Sequence, residues 1–283
     1  MNRFICIFGL LFLMSFQEVT IPNFSRCQSM ILSDALPVQF WLSDCDTYNE
    51  TVPKGVHEAC FCAPWQCDDE IKIQFTDTDT TPDTEYSLSV QDSSDNVLAT
   101  IDFAYTGSGE YFASFIPEDY AICNDVIKLL IINDTTVATV AKSDCLNVAT
   151  TQDETELIEY SNERDFAGLI YADISPDASF KIRIPCRFFH ERFPEEDEAM
   201  ELTSSVITTS AQIKSQKLLE VKHVPYYFHK KLQLVLKHQT LTIGGIAYKK
   251  EEQYELNEGN KRWPKKSATC LLTEKNSVLR NVL

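Results

Sequence analysis

The chain is short of several things, and each shortage removes a class of protein. Glycine occurs 8 times and proline 11 times in 283 residues. Neither a collagen-like repeat nor a Pro/Gly-rich disordered chain fits that composition. Cations are few: 25 Lys and Arg stand against 42 Asp and Glu, for a formal net charge of −17. General nucleic-acid binding needs a basic footprint and is not expected. No internal stretch reaches the roughly 20 apolar residues of a transmembrane helix, so no stable membrane span is expected. P-loop, G-x-G-x-x-G, G-x-S-x-G and H-E-x-x-H patterns are all missing. No repeat with a period of about 20 to 50 residues is visible, which excludes solenoids and propellers.

What remains is ordinary for a globular protein with a real core: 44% apolar and 24% charged residues. Residues 1–16 stand apart, with Arg3 followed by the apolar run Phe4 to Leu13. Three readings stay open: an export signal with a poor cleavage region, a true start at Met14, or a retained anchor. Five cysteines (Cys27, Cys45, Cys60, Cys62, Cys67) crowd the start, and Cys123, Cys145, Cys186 and Cys270 follow; with Cys6 the total is ten. Losing Cys6 with the apolar segment leaves an odd number, which cannot all pair within one chain. His57, Cys60, Cys62 and Cys67 could supply four zinc ligands, but the gaps match no usual finger. Buried or strand-borne free thiols are the preferred reading, with one or two disulfides and zinc as the alternatives.

Charge divides the chain. Residues 1–180 hold 7 cations against 30 anions, and residues 181–283 hold 18 against 12. Such asymmetry suggests two bodies that meet different partners, or each other's copies in an assembly. The expected organisation is an acidic β-sandwich over 17–148 and a basic β-rich domain over 149–283. The fold class is all-β, mainly antiparallel, with at most one or two short helices. In the first body, Ile71, Ile73 and Phe75 alternate on one strand face, and Tyr86, Leu88 and Val90 on another. Further strands are expected over 97–105, 111–116, 126–132 and 136–145, with turns every 8 to 12 residues as in a sandwich. In the second, 157–160, 166–171 and 180–185 read as strands and 191–198 as an acidic loop. Residues 206–221 are ambiguous between strand and helix. A short helix follows Phe228, with Leu232, Val235 and Leu236 in its 3.6 period. Gly244-Gly245 marks a two-residue hairpin turn that pairs Ile243 with Ile246 and Leu241 with Tyr248.

Chemistry-bearing patterns are thin. His223, His229 and His238 do not share a helical face, so they make poor metal ligands. Glu195, Glu196, Asp197 and Glu198 could imitate a glycosidase pair, yet adjacent carboxylates without an apolar pocket face water. Asp77, Asp79 and Asp83 lack the glycine and distal Glu of an EF-hand loop. Lys261, Arg262, Trp263, Lys265 and Lys266 interleave cations with an aromatic, as a basic loop or a polyanion contact does. Tyr226, Tyr227 and Phe228 suit a sugar platform or junction packing. Asn23, Asn49 and Asn133 begin glycosylation sequons. No catalytic residue, cofactor site or firm metal site is assigned, and enzymatic activity is not expected.

One resemblance sharpens the reading. Trp65-Gln-Cys67 through Phe75 looks like the opening strand of uncharacterised proteins from phages and prophages of Bacteroides-type bacteria. Ser143 to Leu146, Glu159 to Asn162, Arg183 to Pro185, and the stretch through His238 into Ile243–Tyr248 add to it. Those proteins are similar in character to tail or baseplate components of the distal-tail type. The resemblance implies a virion structural protein, assembled in the host cytoplasm into a ring or connector. Its partners would be copies of itself and other tail proteins, with loops that meet neighbours or a host surface, and its cysteines would be reduced. The alternative is an exported periplasmic or surface binding module for carbohydrate or protein, with a cleaved signal and at least one disulfide.

Overall fold

The computed structural model describes residues 30–42, 61–78, 85–107, 109–171, 178–192, 195–202, 205–251, 253–257, 265–275 and 279–282. The signal-like segment, Cys6, Cys27, Cys45, Asn23, Asn49, Asp79, Asp83 and residues 261–264 lie outside them, as do His57 and Cys60. The fold is all-β with mainly antiparallel sheets and one α-helix among the described residues.

The first body is built from β1 (Met30–Leu32), β2 (Phe40–Leu42), β3 (Ala63–Gln66), β4 (Ile71–Asp77), β5 (Tyr86–Gln91), β6 (Val97–Asp102), β7 (Ala104–Gly107), β8 (Glu110–Phe115), β9 (Asp125–Asn133), β10 (Ala138–Ser143) and β11 (Leu146–Ala149). A four-stranded sheet runs β1-β4-β8-β7. A seven-stranded sheet runs β2-β10-β9-β11-β3, with β5 and β6 added beside β9. The alternation works as expected: Ile71, Ile73 and Phe75 are buried in the core that the two sheets share with Leu88, Val90, Ile127 and Ile131. A single strand over 97–105 is not what forms. The chain breaks at Phe103, where β6 leaves the large sheet and β7 joins the small one. Both halves look extended in sequence, so periodicity could not show the change of sheet.

The second body contains β12 (Thr155–Ser161), β13 (Phe180–Arg192), β14 (Glu195–Leu202), β15 (Ser205–Ile213), β16 (Gln216–Pro225), α1 (Tyr226–Val235), β17 (Thr240–Ile243), β18 (Ile246–Lys250), β19 (Glu255–Asn257), β20 (Lys265–Glu274) and β21 (Leu279–Val282). Its main sheet runs β16-β13-β12-β17-β18-β20-β19, and β16 also pairs with β20. That pairing closes six strands into a barrel, which removes their free edges. Inward residues from these strands, among them Ile158, Ile182, Leu219, Ile243, Cys270 and Leu272, fill it. The apolar side of α1, with Phe228, Leu232 and Val235, belongs to the same core.

Three neighbouring barrel strands continue into a separate sheet. Arg192 pairs with Gln216 at the end of the β13–β16 ladder, and Glu195 pairs with Ile213 just beyond it. β21 follows β20 and pairs with β15, giving the order β14-β15-β21. These strands make their main contacts with each other. The expected acidic loop over 191–198 is therefore mostly strand: Glu195 to Glu198 enter β14. The ambiguous stretch 206–221 resolves into β15 and β16. The expected strand over 166–171 is instead a tight turn, with Ala167 and Gly168 at φ of 53° and 79° and Phe166 bridged to Leu169. Glycine permits the second of those angles without strain. The hairpin at Gly244-Gly245 has the expected register, Ile243 opposite Ile246, and both glycines have positive φ.

Candidate functional site

The two bodies meet along the second face of β4. Its inward residues fill the first core, while Lys72 and Gln74 face the second body: Lys72 Nζ donates to Ser179 O at 3.0 Å and Gln74 Oε1 accepts from Ile170 N at 3.1 Å. The polar half of this alternating strand thus serves a seam. Deeper in it, Arg183 Nε and Nη2 donate to the two oxygens of Asp69 at 2.6 and 2.8 Å. Nη2 also reaches Gln66 Oε1 at 2.6 Å, and Gln66 N donates to Asp69 Oδ2 at 2.7 Å. Such bidentate, mutually braced geometry is what a buried ion pair requires.

The segment between β1 and β2 is shared by both bodies. Ala35 and Leu36 lie in the second core, whereas Met30, Val38 and Phe40 lie in the first. Tyr160 donates its hydroxyl to Ala35 O at 2.6 Å. Lys231 of α1 is 2% exposed and donates to the carbonyls of Leu36 and Val38. Burial pushes its amine down to about 7, partly offset by Asp34 and Asp144. The sequence carried a signal for it, because Lys231 falls three residues after Phe228, on the apolar stripe of α1.

The other candidate residues do not converge. Cys62 is bonded to Cys145 and Cys67 to Cys123, so these two of the four zinc candidates have separate partners. The reading of these thiols as unpaired is corrected: β3 runs parallel to β11 and brings Cys62 beside Cys145, a neighbour 83 residues away that spacing could not reveal. Cys186 and Cys270 form no disulfide and are buried in the barrel, and burial pushes the Cys186 thiol up to about 12. Among the described residues no cluster of three or more His, Cys, Asp or Glu could hold a metal. His229 is buried, with Nδ1 2.6 Å from Tyr254 Oη and Nε2 3.0 Å from Lys266 O. Nε2 therefore donates to the carbonyl and Nδ1 accepts from the tyrosine. His238 faces Tyr160, Phe166 and Tyr171, with Nδ1 3.0 Å from the carbonyls of Leu234 and Val235. Desolvation lowers both histidines below their ordinary range. His223 lies apart, exposed, with φ of 48°. Asp77 accepts from Tyr86 Oη at 2.6 Å inside the sandwich. Phe228 is buried and Tyr226 is 63% exposed, so the three aromatics do not form one open platform.

A cleft that sequence spacing did not suggest opens at the end of α1. It encloses about 560 Å³, with Leu236, Leu241 and Tyr248 among its lining. Lys237, Lys249, Lys250 and Lys275 stand around it, with Glu251 as its one acidic residue. Lys275 Nζ donates to Gln239 O at 2.7 Å. These lysines come from the segment after α1, from β18 and from the end of β20, so only the closed barrel gathers them. No helix among the described residues is long and apolar enough to cross a membrane. Comparison of the chain with family models, curated proteins and solved structures returns no match.

Proposed function

We propose that the protein is a structural component of a phage particle, of the tail or baseplate, that works by contacts with copies of itself and with neighbouring virion proteins. The arm of β14, β15 and β21 carries this reading: three barrel strands run on past the core they built and make a separate sheet. A sheet with open edges, carried on a closed barrel, suits attachment to another chain. The buried ion pair of Asp69 and Arg183 across the seam suits a part that holds two contact surfaces together. The resemblance of its strand texture to phage and prophage proteins favours the same choice. Mass spectrometry of purified phage particles tests it: peptides of this chain are expected at structural stoichiometry. A stable monomer with a cleaved signal, absent from particles, overturns it.

A second reading is favoured by the Cys62–Cys145 and Cys67–Cys123 bonds. Disulfides persist in oxidising compartments, and an exported binding module would carry them. Thiol counting on protein from its native source separates the two, because cytoplasmic assembly expects these four cysteines reduced.

A further inference from the structure

The two ends of the charge asymmetry in the second body are built on different elements. β14 is the edge strand of the arm and reads Glu195-Glu196-Asp197-Glu198-Ala-Met-Glu201-Leu, five carboxylates in eight residues. Its partner β15 (Ser-Val-Ile-Thr-Thr-Ser-Ala-Gln-Ile) contributes no cation. Within one copy, β14 makes its main contacts with β15. The lysine cleft is the complementary surface: four ammonium groups against one carboxylate, around an apolar floor. Lys237 and Lys249 are exposed there. A concave site ringed by four lysines suits an acidic segment better than an uncharged ligand. We infer that the lysine cleft receives the acidic edge strand β14 of a second copy of this chain.

Resting on the assembly reading above, this contact joins two different surfaces. It is therefore heterologous, and it propagates head to tail until the rotation closes a ring. Each copy is donor through its arm and acceptor through its cleft. Charge complementarity of this kind fixes register and speeds association more than it adds raw affinity. Assembly should consequently weaken as salt rises, since the cleft is open to solvent.

Sedimentation of the full chain at low salt provides the test, with two charge-reversal variants. The first is Lys237→Glu with Lys249→Glu in the cleft; the second is Glu196→Lys with Glu198→Lys on the arm. Each alone is expected to self-associate about tenfold more weakly or worse. Mixed together they are expected to assemble again, because the reversed cleft of one variant now fits the reversed arm of the other. Restoration on mixing also shows that both variants are folded. If the wild type assembles and the reversals leave it intact, the cleft contact is wrong while the assembly reading stands. Reversals that weaken assembly without restoration on mixing overturn the pairing of these two surfaces. A wild type that stays monomeric at high concentration and low salt overturns both.

Discussion

Arg183 and Asp69, 114 residues apart, meet as a two-pronged ion pair in the seam between sandwich and barrel. Both side chains are almost fully buried, at 8% and 3% exposure. Removing one partner strands the other charge in a place from which water is excluded. Arg183→Ala is therefore expected to cost about 3–5 kcal/mol of stability, and Asp69→Ala a similar amount. The double variant Asp69→Leu with Arg183→Met should lose much less than the sum. Urea denaturation of the three variants measures this coupling.

Lys231 makes stability depend on pH above neutrality. The amine titrates near 7 in the folded protein against an ordinary value of 10.5. Between those limits the unfolded chain holds a proton that the folded chain has released. Stability should rise with pH across that window, by at most ~1.4 kcal/mol per pH unit. Below pH 7 the amine is charged in both states and the slope from this residue vanishes. In Lys231→Met the slope should disappear, which thermal melts in a buffer series would detect.

The buried neutral histidines act on the acid side. His229 and His238 both have lowered affinity for a proton in the folded state. The unfolded chain takes up protons first as pH falls below about 6.5, so stability drops there. His229→Gln is expected to weaken that dependence, and melting between pH 7 and pH 5 checks it.

Two cross-links close loops with sequence separations of 83 and 56 residues. On the loop-entropy account each is worth about 4–5 kcal/mol. Paired replacement of Cys62 and Cys145 by serine should lower the denaturation midpoint strongly. In protein folded under oxidising conditions, peptide mapping without reductant should find 62 joined to 145 and 67 joined to 123, whereas exchange of partners would contradict the fold near β3.

The turn at Gly244 isolates a backbone effect. Its φ is 57°, and a Cβ placed there would meet nothing within 4 Å. Gly244→Ala should cost about 1 kcal/mol, from the left-handed backbone alone. Gly244→Asn should cost less, and equilibrium unfolding of the pair resolves the difference.

Local pattern made much of this legible. Ile71, Ile73 and Phe75 announced β4, the double glycine announced the β17–β18 register, and Phe228, Leu232 and Val235 announced α1. What stayed hidden depends on distant pairing. Phe103 changes sheet without changing conformational class, and Glu195 to Glu198 read as a loop because their partners in β15 supply no alternating signal. The turn at Ala167-Gly168 passed for a strand because its flanking residues are apolar. The lysine cleft was beyond reach for the same reason: Lys237, Lys249 and Lys275 are separated in the chain and gathered by barrel closure.

The carbonyls of Leu36 and Val38 wait for Lys231, 195 and 193 positions later in the chain. At a ribosomal pace of about 5–20 residues per second, that interval is on the order of 10–40 s. Throughout it the shared segment has emerged while its anchoring helix has not yet been made. The last hundred residues thus complete not only their own barrel but also the threading of a stretch synthesised near the beginning. A nascent chain halted before α1 would carry a sandwich whose connecting strap has nowhere to dock, so translation timing belongs among the conditions for making this protein whole.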